Sequence, residues 1–229
     1  GFVRLVDIAP EQPGGAVFIR QVSPHTTVSM AHTDAAYEQA CQAVEAGCRH
    51  VTHLYNAMTG LNQRQPGVVG AAFDLAQRFE ELHAELICDG KHIHPAALRI
   101  AFRQLGETHT VVISDALSAA GTADGRMVSG GLPVEVRDGV AYLENGTIAG
   151  STTNLEQEYR NLLSYGIPRR QIVRSMTENP AKAIRMGDEL GTITPGKRAN
   201  LTVVDGENRV VLTIVSGKIV YDRMNQQKI

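Results

Sequence analysis

The sequence has few cysteines, little net charge and no long apolar run, and each lack excludes a class of protein. Its three cysteines are odd in number and show no C-x-x-C spacing, which argues against a disulfide framework or a zinc ribbon and fits a reducing compartment. A net charge of -2 provides no broad basic field for nucleic acid. No apolar run approaches the roughly 18–20 residues of a membrane span. We therefore expect a cytoplasmic protein that binds neither nucleic acid nor membrane.

Short apolar runs alternate with helical segments in the first two-thirds of the chain. Continuous apolarity over about five residues predicts strands that are covered on both faces, as in a parallel sheet. Between them, Thr33 is a candidate N-cap for a helix over 35–46, and Pro95 suits the first turn of a helix over 96–105. The alternation predicts βαβ units. The five runs are 3–8, 26–30, 48–52, 84–88 and 111–114.

Later segments follow a different pattern. Alternating apolar residues around Asp138-Gly139 predict a β-hairpin insertion over about 130–148. Three apolar runs separated by turn residues predict an antiparallel β unit over 190–229. The expected organisation is a barrel portion over 1–189, carrying the hairpin, followed by this β tail. Further predicted elements are helices over 154–165 and 169–176, a helix starting at 179–180, and strands over 201–204, 210–215 and 219–221.

Polar residues follow four of the predicted strands. His32 ends the second run, His53 the third and Asp115 the fifth, while His92 lies just beyond the fourth. In a parallel α/β barrel the active site forms at the carboxyl ends of the strands, so these side chains are expected to converge. Two histidines and a carboxylate suit a divalent metal with an acid/base beside it. A metal with an open position lowers the pKa of its bound water.

The other histidines are given a structural interpretation. A single histidine is more often a hydrogen-bonded core or surface residue than a ligand, and we expect this of His25, His50, His83 and His109. His94, next to Pro95, is expected at a helix N-terminus.

One string is highly specific. T-H-L-Y-N-A-M over 52–58, followed by Q-R-Q-P-G over 63–67, resembles the N-acetylglucosamine-6-phosphate deacetylases of the amidohydrolase superfamily. The resemblance covers nearly the whole chain. It continues through A-H-T-D-A (31–35), C-D-G-K-H-I (88–93), I-S-D-A (113–116), N-G-T-I-A-G-S (145–151) and L-G-T-I-T-P-G-K-R-A-N-L (190–201).

The resemblance implies an α/β fold, a (β/α)₈ TIM-type barrel whose five C-terminal βα units are present, with a small β-sandwich domain contributed partly by the C-terminal tail. It implies a metal-dependent deacetylase that hydrolyses the acetamide of N-acetylglucosamine 6-phosphate to glucosamine 6-phosphate and acetate. His32 and His53 match the family's histidine ligands for a divalent metal, zinc or iron. Asp115 matches its catalytic acid/base.

The remaining implied residues bind the phosphorylated amino sugar. Asn56 and Ala57 match sugar-phosphate contacts, and His92 matches a substrate-binding histidine. Arg64 matches a phosphate-binding arginine that reaches the neighbouring subunit's site, which implies a homodimer. Three residues match a backbone segment that lines the sugar pocket: Ile148, Ala149 and Gly150.

The sequence departs from the family upstream. The family's further metal ligand is a glutamate in an E-G-P-F-like string, which is absent here, and Glu11 in A-P-E belongs to a different segment. Catalytic zinc sites usually have three protein ligands, so two hold a metal poorly. The lack of an initiator methionine fits the expectation that the chain is part of a longer protein without its first three βα units.

Two other readings remain open. One is a deacetylase of N-acetylgalactosamine 6-phosphate, the epimeric substrate. The other is an inactive sugar-phosphate-binding fragment, which the joint presence of His32, His53 and Asp115 disfavours, because ligand binding alone needs no base beside a metal pair.

Overall fold

A parallel sheet of five strands, in the order β1-β2-β3-β4-β5, forms the centre of the computed structural model, which describes residues 2–225. All four strand pairings are parallel, and each strand overlaps one of the predicted apolar runs. The α/β class is therefore confirmed. The strands are Leu5–Ile8 (β1), Thr27–Met30 (β2), His50–Val51 (β3), His83–Ile87 (β4) and Thr110–Ile113 (β5).

One helix follows each of the first four strands and packs its apolar side on the core. Helix α3 is the most deeply placed, with nine of its ten residues buried, and it contacts both α2 and α4. Its many small residues allow this close packing, since a side chain at Gly70 would meet Pro66 at 2.4 Å. These helices are Gly15–Val22 (α1), Tyr37–Glu45 (α2), Gly67–Ala76 (α3) and Pro95–His109 (α4).

Two helix boundaries differ from the prediction. The N-cap prediction for Thr33 is wrong, because α2 begins at Tyr37 and the Gln39 side chain accepts from the Ala36 amide instead. The Thr33 hydroxyl donates to Glu11 in the loop after β1. Helix α4 continues to His109, with a kink where Gly106 takes a φ of 66°. His94 caps α4 as expected, accepting from the Ala96 amide at 3.1 Å.

The predicted hairpin is the centre of a larger antiparallel sheet. Strands β7 and β8 pair across Asp138 and Gly139, whose φ values of 50° and 71° suit a tight hairpin turn. One strand on each side extends the sheet, and the last returns to the end of β5 through a bridge between Ala116 and Ser151. The strands are Gly125–Ser129 (β6), Leu132–Arg137 (β7), Val140–Tyr142 (β8) and Ile148–Ser151 (β9).

Three helices and a third sheet complete the described residues. The tail forms an antiparallel sheet in the order β10-β11-β12, as the turn residues between its apolar runs predict. No helix among residues 2–225 has the combined length and apolarity needed to cross a membrane. The elements are Leu155–Ser164 (α5), Arg169–Met176 (α6), Glu178–Ala183 (α7), Leu201–Val204 (β10), Val210–Val215 (β11) and Lys218–Asp222 (β12).

Candidate metal and substrate site

Three predicted site residues share one local geometry. His32, His53 and Asp115 each stand two positions beyond the end of a strand, after β2, β3 and β5. Their φ values of 45°, 33° and 48° lie in the left-handed region that residues other than glycine seldom adopt. Such backbone costs of order 1–3 kcal/mol and clusters at functional sites. We call the edge formed by the carboxyl ends of β1 to β5 the mouth, and all three residues belong to it.

The two mouth histidines face each other. Their Nε2 atoms are 3.0 Å apart, with the rings nearly perpendicular at 83°. Two neutral imidazoles can form a hydrogen bond here only if one of them donates, whereas two lone pairs directed at one point suit a shared cation. The Nδ1 atom of His53 is buried without a hydrogen-bond partner among residues 2–225.

The donor set fits a divalent metal but is incomplete among the residues that the structure describes. Imidazole nitrogen is a good ligand for zinc and iron, and a ligating histidine usually donates from its other nitrogen to an acceptor. Within residues 2–225, no group of three or more His, Cys, Asp or Glu side chains is arranged to hold a metal. His32 and His53 would therefore provide two ligands.

Asp115 is exposed, and its backbone is fixed by the return of β9. The Ser151 amide donates to the Asp115 carbonyl at 3.0 Å, and the Ser151 hydroxyl donates to the carbonyl of Ser114. At Gly150, whose φ is 152°, a side chain would come within 2.9 Å of Leu117 and 3.3 Å of the Asp115 carbonyl oxygen. Glycine is thus required for this close approach. The structure brings β9, with its half-buried Ile148 and Ala149, beside Asp115.

Asn56 and Ala57 form the turn that follows His53. The Asn56 side-chain amide donates to the carbonyls of His53 and Leu54, at 3.2 and 3.3 Å, so it stabilises the turn. The Ala57 carbonyl accepts from the Thr33 amide at 3.0 Å, which joins this turn to the loop that carries His32.

Arg64 lies farther along the same loop and is exposed. Its guanidinium makes no hydrogen bond or ion pair within the part of the chain that the structure describes. The phosphate role of Arg64 stays a prediction.

Glu11 links two loops of the mouth. Its carboxylate accepts from the Thr33 hydroxyl and from the Asp34 amide, the latter at 3.0 Å. Burial raises the pKa of Glu11, but these hydrogen bonds outweigh it and the pKa is lowered. Glu11 therefore ties the loop after β1 to the loop of His32, which fits its exclusion from the predicted ligands.

A polar chain inside the sheet was not predicted. Thr52 donates to Asp7 at 2.7 Å and lies 2.7 Å from the Ser29 hydroxyl, which lies 3.0 Å from His50 Nδ1. Asp7 can only accept, so each hydroxyl donates toward it and His50 carries its hydrogen on Nδ1. On the far side, His50 Nε2 is 3.6 Å from Glu85, which accepts from the His53 amide at 3.3 Å.

Burial shifts the pKa values of His50 and Glu85 at one end of this series of polar side chains. It lowers the pKa of His50 to about 3, with a smaller contribution from His83. Burial also raises the pKa of Glu85 to about 7, partly opposed by the hydrogen bond from the His53 amide. The usable sequence signal was the presence of Ser, Thr and His inside otherwise apolar strands, because buried polar side chains require partners.

His92 lies in the loop after β4, where its Nδ1 is 2.6 Å from the Asp89 carboxylate. The histidines given a structural interpretation behave accordingly where they are buried. His83 Nδ1 lies 2.9 Å from the Glu81 carbonyl, and His109 Nδ1 lies 2.7 Å from the Leu82 carbonyl.

Comparison with known proteins identifies the family of this chain. A model of the amidohydrolase family matches residues 20–220. The N-acetylglucosamine-6-phosphate deacetylase of Bacillus subtilis (strain 168) is 36% identical over 96% of this chain and 55% of its own length. The N-acetylgalactosamine-6-phosphate deacetylase of Escherichia coli O157:H7 is 33% identical over 95% of this chain and 57% of its own.

A solved structure with a similar fold comes from a protein of the same name as the first of these relatives. A mutant of the Mycobacterium smegmatis N-acetyl-D-glucosamine-6-phosphate deacetylase, in complex with N-acetyl-D-glucosamine-6-phosphate, superposes with a TM-score of 0.89 at 34% identity. The match covers 96% of this chain and 58% of that one. The chain therefore spans little more than half the length of these relatives.

Proposed function

Because this chain belongs to the amidohydrolase family, we propose that the protein carrying it hydrolyses the acetamide of N-acetylglucosamine 6-phosphate to glucosamine 6-phosphate and acetate. The observation that carries the proposal is the pair of facing His32 and His53 nitrogens, at the same mouth as Asp115. The relatives' names and the bound sugar phosphate of the solved structure support the choice of substrate.

The finer architecture is part of the proposal. The five parallel strands are the last five of a (β/α)₈ barrel over residues 1–189, and the tail strands over 190–229 belong to a small β-sandwich domain. We propose that the protein carrying this chain also has the segment that the relatives have beyond the matched part. That segment would provide the other βα units and a further metal ligand. This accounts for a mouth that holds only two of the three protein ligands usual for a catalytic zinc.

His32 and His53 would hold the divalent cation, zinc or iron. The chemistry that the cation supplies when bound is activation of water and polarisation of the amide carbonyl. Asp115 takes a proton from the attacking water and later delivers it to the sugar nitrogen as the carbon–nitrogen bond breaks. Water's oxygen ends in acetate, and the amine leaves with the proton.

Residues of the surrounding loops bind the phosphate and the sugar ring of the substrate. Asn56, Ala57 and Arg64 bind the phosphate, and Arg64 does so from the neighbouring subunit of a homodimer. An exposed guanidinium is suited to this because its planar fork matches phosphate oxygens. His92 and the segment Ile148, Ala149 and Gly150 contact the sugar.

Acetate release by the metal-loaded protein tests this function. We expect the substitution Asp115→Asn to lower turnover by roughly 10²–10⁴-fold, since it removes the proton shuttle, while metal binding persists. Asparagine tolerates the left-handed backbone at this position. Asp74→Asn, at an exposed position of α3, is the matched control and should leave turnover unchanged.

Each contrary outcome identifies what is wrong. Near-wild-type hydrolysis by the Asp115→Asn variant would remove Asp115 from the mechanism. Faster hydrolysis of N-acetylgalactosamine 6-phosphate would replace the substrate with the one named for the E. coli relative. Sugar-phosphate binding without any acetate release would favour the non-enzymatic reading.

A further inference from the structure

The loop after β4 is anchored by helix α5. Glu158 accepts from the Cys88 amide at 2.8 Å, and Asn161 donates to the Cys88 carbonyl at 3.2 Å. Both polar groups of one peptide position are thus fixed by side chains of a single helix. The Cys88 position is the last before the turn of Asp89 and Gly90, so the start of that turn is fixed as well.

Glu158 is a buried carboxyl group whose Oε1 has no hydrogen-bond partner among residues 2–225. The residue is fully buried, and burial raises its pKa to about 8, with the hydrogen bond from the Cys88 amide opposing and the charge of Asp89 adding to the shift. A carboxyl group that stays protonated near neutral pH can accept from an amide without placing a second negative charge beside Asp89. The helix therefore anchors the loop and leaves Asp89 as its charged group.

Asp89 in turn fixes His92. Its Oδ1 accepts from the amides of Lys91 and His92, at 2.8 and 2.9 Å, and its Oδ2 lies 2.6 Å from His92 Nδ1. Burial raises the pKa of Asp89, but the hydrogen bonds from the His92 ring and the two amides outweigh it, so the pKa is lowered. A carboxylate only accepts, so the hydrogen of this bond must lie on Nδ1.

The other ring nitrogen of His92 is left open. Nε2 has no hydrogen-bond partner among residues 2–225 and is not sealed from solvent, although the side chain as a whole is only 6% exposed. A largely buried ring with one nitrogen bound to a fixed acceptor can offer a ligand only the other nitrogen.

We propose that Asp89 is a positioning residue that holds His92 as the Nδ1–H tautomer, so that Nε2 is the nitrogen presented to the phosphorylated sugar. Helix α5 fixes the loop in which this pair is built. The proposal rests on the proposed function in one respect, the binding of the sugar phosphate by His92.

The substitution Asp89→Asn tests the positioning role. The amide oxygen can still accept from the Lys91 and His92 amides, so the loop is retained, but the amide nitrogen now donates toward Nδ1. Neutral His92 must then carry its hydrogen on Nε2. Long-range ¹H–¹⁵N spectra of the His92 ring in this chain report the tautomer directly, at a pH where the ring is neutral. We expect Nδ1–H in the wild type and Nε2–H in the variant.

Binding of N-acetylglucosamine 6-phosphate is the second readout, measured by calorimetry on the metal-loaded protein. When Nε2 changes from acceptor to donor, a sugar hydroxyl that donated to it must accept instead, and the hydrogen of that hydroxyl loses its acceptor, so binding should weaken by about tenfold. Asp74→Asn again serves as the control, because its carboxylate accepts from Tyr37 and Arg78 on the exposed side of α3. It should change neither the His92 spectrum nor the affinity.

The outcomes separate the two proposals. An Nε2–H ring in the wild type overturns the positioning role, and this spectrum decides the matter even if the variant does not fold. An inverted tautomer with unchanged affinity also overturns it, because the ring polarity then has no effect on the sugar phosphate. A wild-type Nδ1–H ring in a protein that binds no sugar phosphate contradicts the proposed function and supports the ring geometry set by Asp89.

Discussion

Histidines in two regions of the molecule differ in how the fold treats them. At the mouth, His32 and His53 have left-handed backbone and face each other, and His53 Nδ1 is buried without a partner among residues 2–225. Within the strands, His50 and His83 have ordinary backbone, and each has its Nδ1 within hydrogen-bond distance of a fixed oxygen. The same residue type has strained backbone and incomplete hydrogen bonding at the mouth, and relaxed backbone with a paired Nδ1 within the strands.

This difference shows which histidines the fold itself requires. Buried polar groups in proteins are nearly always paired, because an unpaired one costs about 1–3 kcal/mol. A residue that is both strained and unpaired therefore needs a compensating interaction from outside the chain. His50 and His83 need none, whereas the strained backbone and the facing Nε2 atoms of His32 and His53 are explained by a cation between them.

The largest expected effect comes from exchanging matched histidines for asparagine. His53→Asn should weaken zinc binding by well over the 10- to 100-fold typical of losing an outer partner of a ligand, because it removes a ligand. The largely buried His53 ring is lost as well, but asparagine accepts the left-handed backbone more readily and this offsets the loss, so the free energy of unfolding should fall only slightly. Zinc titration calorimetry and urea unfolding measure the two quantities.

His83→Asn should affect stability instead of zinc binding. It leaves zinc affinity unchanged and lowers the free energy of unfolding by roughly 1–3 kcal/mol, because a buried ring is lost from the core. If His53→Asn lowered stability and left zinc affinity intact, the two regions would not differ in the way proposed, and His53 would be a structural residue.

A smaller effect is expected in the pH dependence of the free energy of unfolding, which depends on the buried His83. Burial lowers the pKa of His83 to about 4, against about 6.5 in the unfolded chain. Above about pH 6.5 neither state binds the proton, but between about 6.5 and 4 only the unfolded state does, so stability falls as the pH drops. From about pH 7.5 to pH 5 this loss amounts to about 2 kcal/mol.

Subtracting the stability of the His83→Asn variant from that of the wild type separates the contribution of His83 from those of the other titrating groups. Glu85 and Glu158 have raised pKa values and change stability in the opposite direction, but both are present in the wild type and in the His83→Asn variant. The stability difference between these two proteins should therefore narrow by about 2 kcal/mol between about pH 7.5 and pH 5. If urea unfolding gave a difference that stays constant with pH, the pKa of His83 would be the same in the folded and the unfolded protein, which contradicts the prediction.

The strands were predictable because apolar runs between turn residues mark them almost independently of their neighbours. Helices α1 and α3 carried no comparable signal, since neither has a side chain that caps its N-terminus, and α3 is apolar on nearly every side. The hairpin at Asp138 was predicted from its turn, whereas β6 depends on pairing with β7 and has no such local mark. Elements set by local chemistry were found, and those set by tertiary packing were missed.

In the candidate site, too, some features were predictable from local sequence and others depend on contacts between distant segments. The sequence positions of His32, His53 and Asp115 after their strands predicted a common edge for all three, because parallel strands end at the same edge of a sheet. Their left-handed backbone follows from loops that are tied by Glu11, Thr33 and Ser151, and such contacts between distant segments are not visible in the sequence. The pairing of Glu85 with the His53 amide was missed for the same reason.

The smallest expected effect tests whether the interior polar chain belongs to the paired region. Thr52→Val removes the hydroxyl between Asp7 and Ser29 while keeping the shape of the side chain, and it should lower the free energy of unfolding by about 1 kcal/mol. Thr52→Ser restores the hydroxyl and should recover most of that loss in urea unfolding. Zinc affinity should change little in either variant, because the His32 and His53 rings do not bond to Thr52. If Thr52→Val weakened zinc binding as strongly as His53→Asn, the chain through Ser29 and His50 would support the metal ligands directly, and the two regions would act as one.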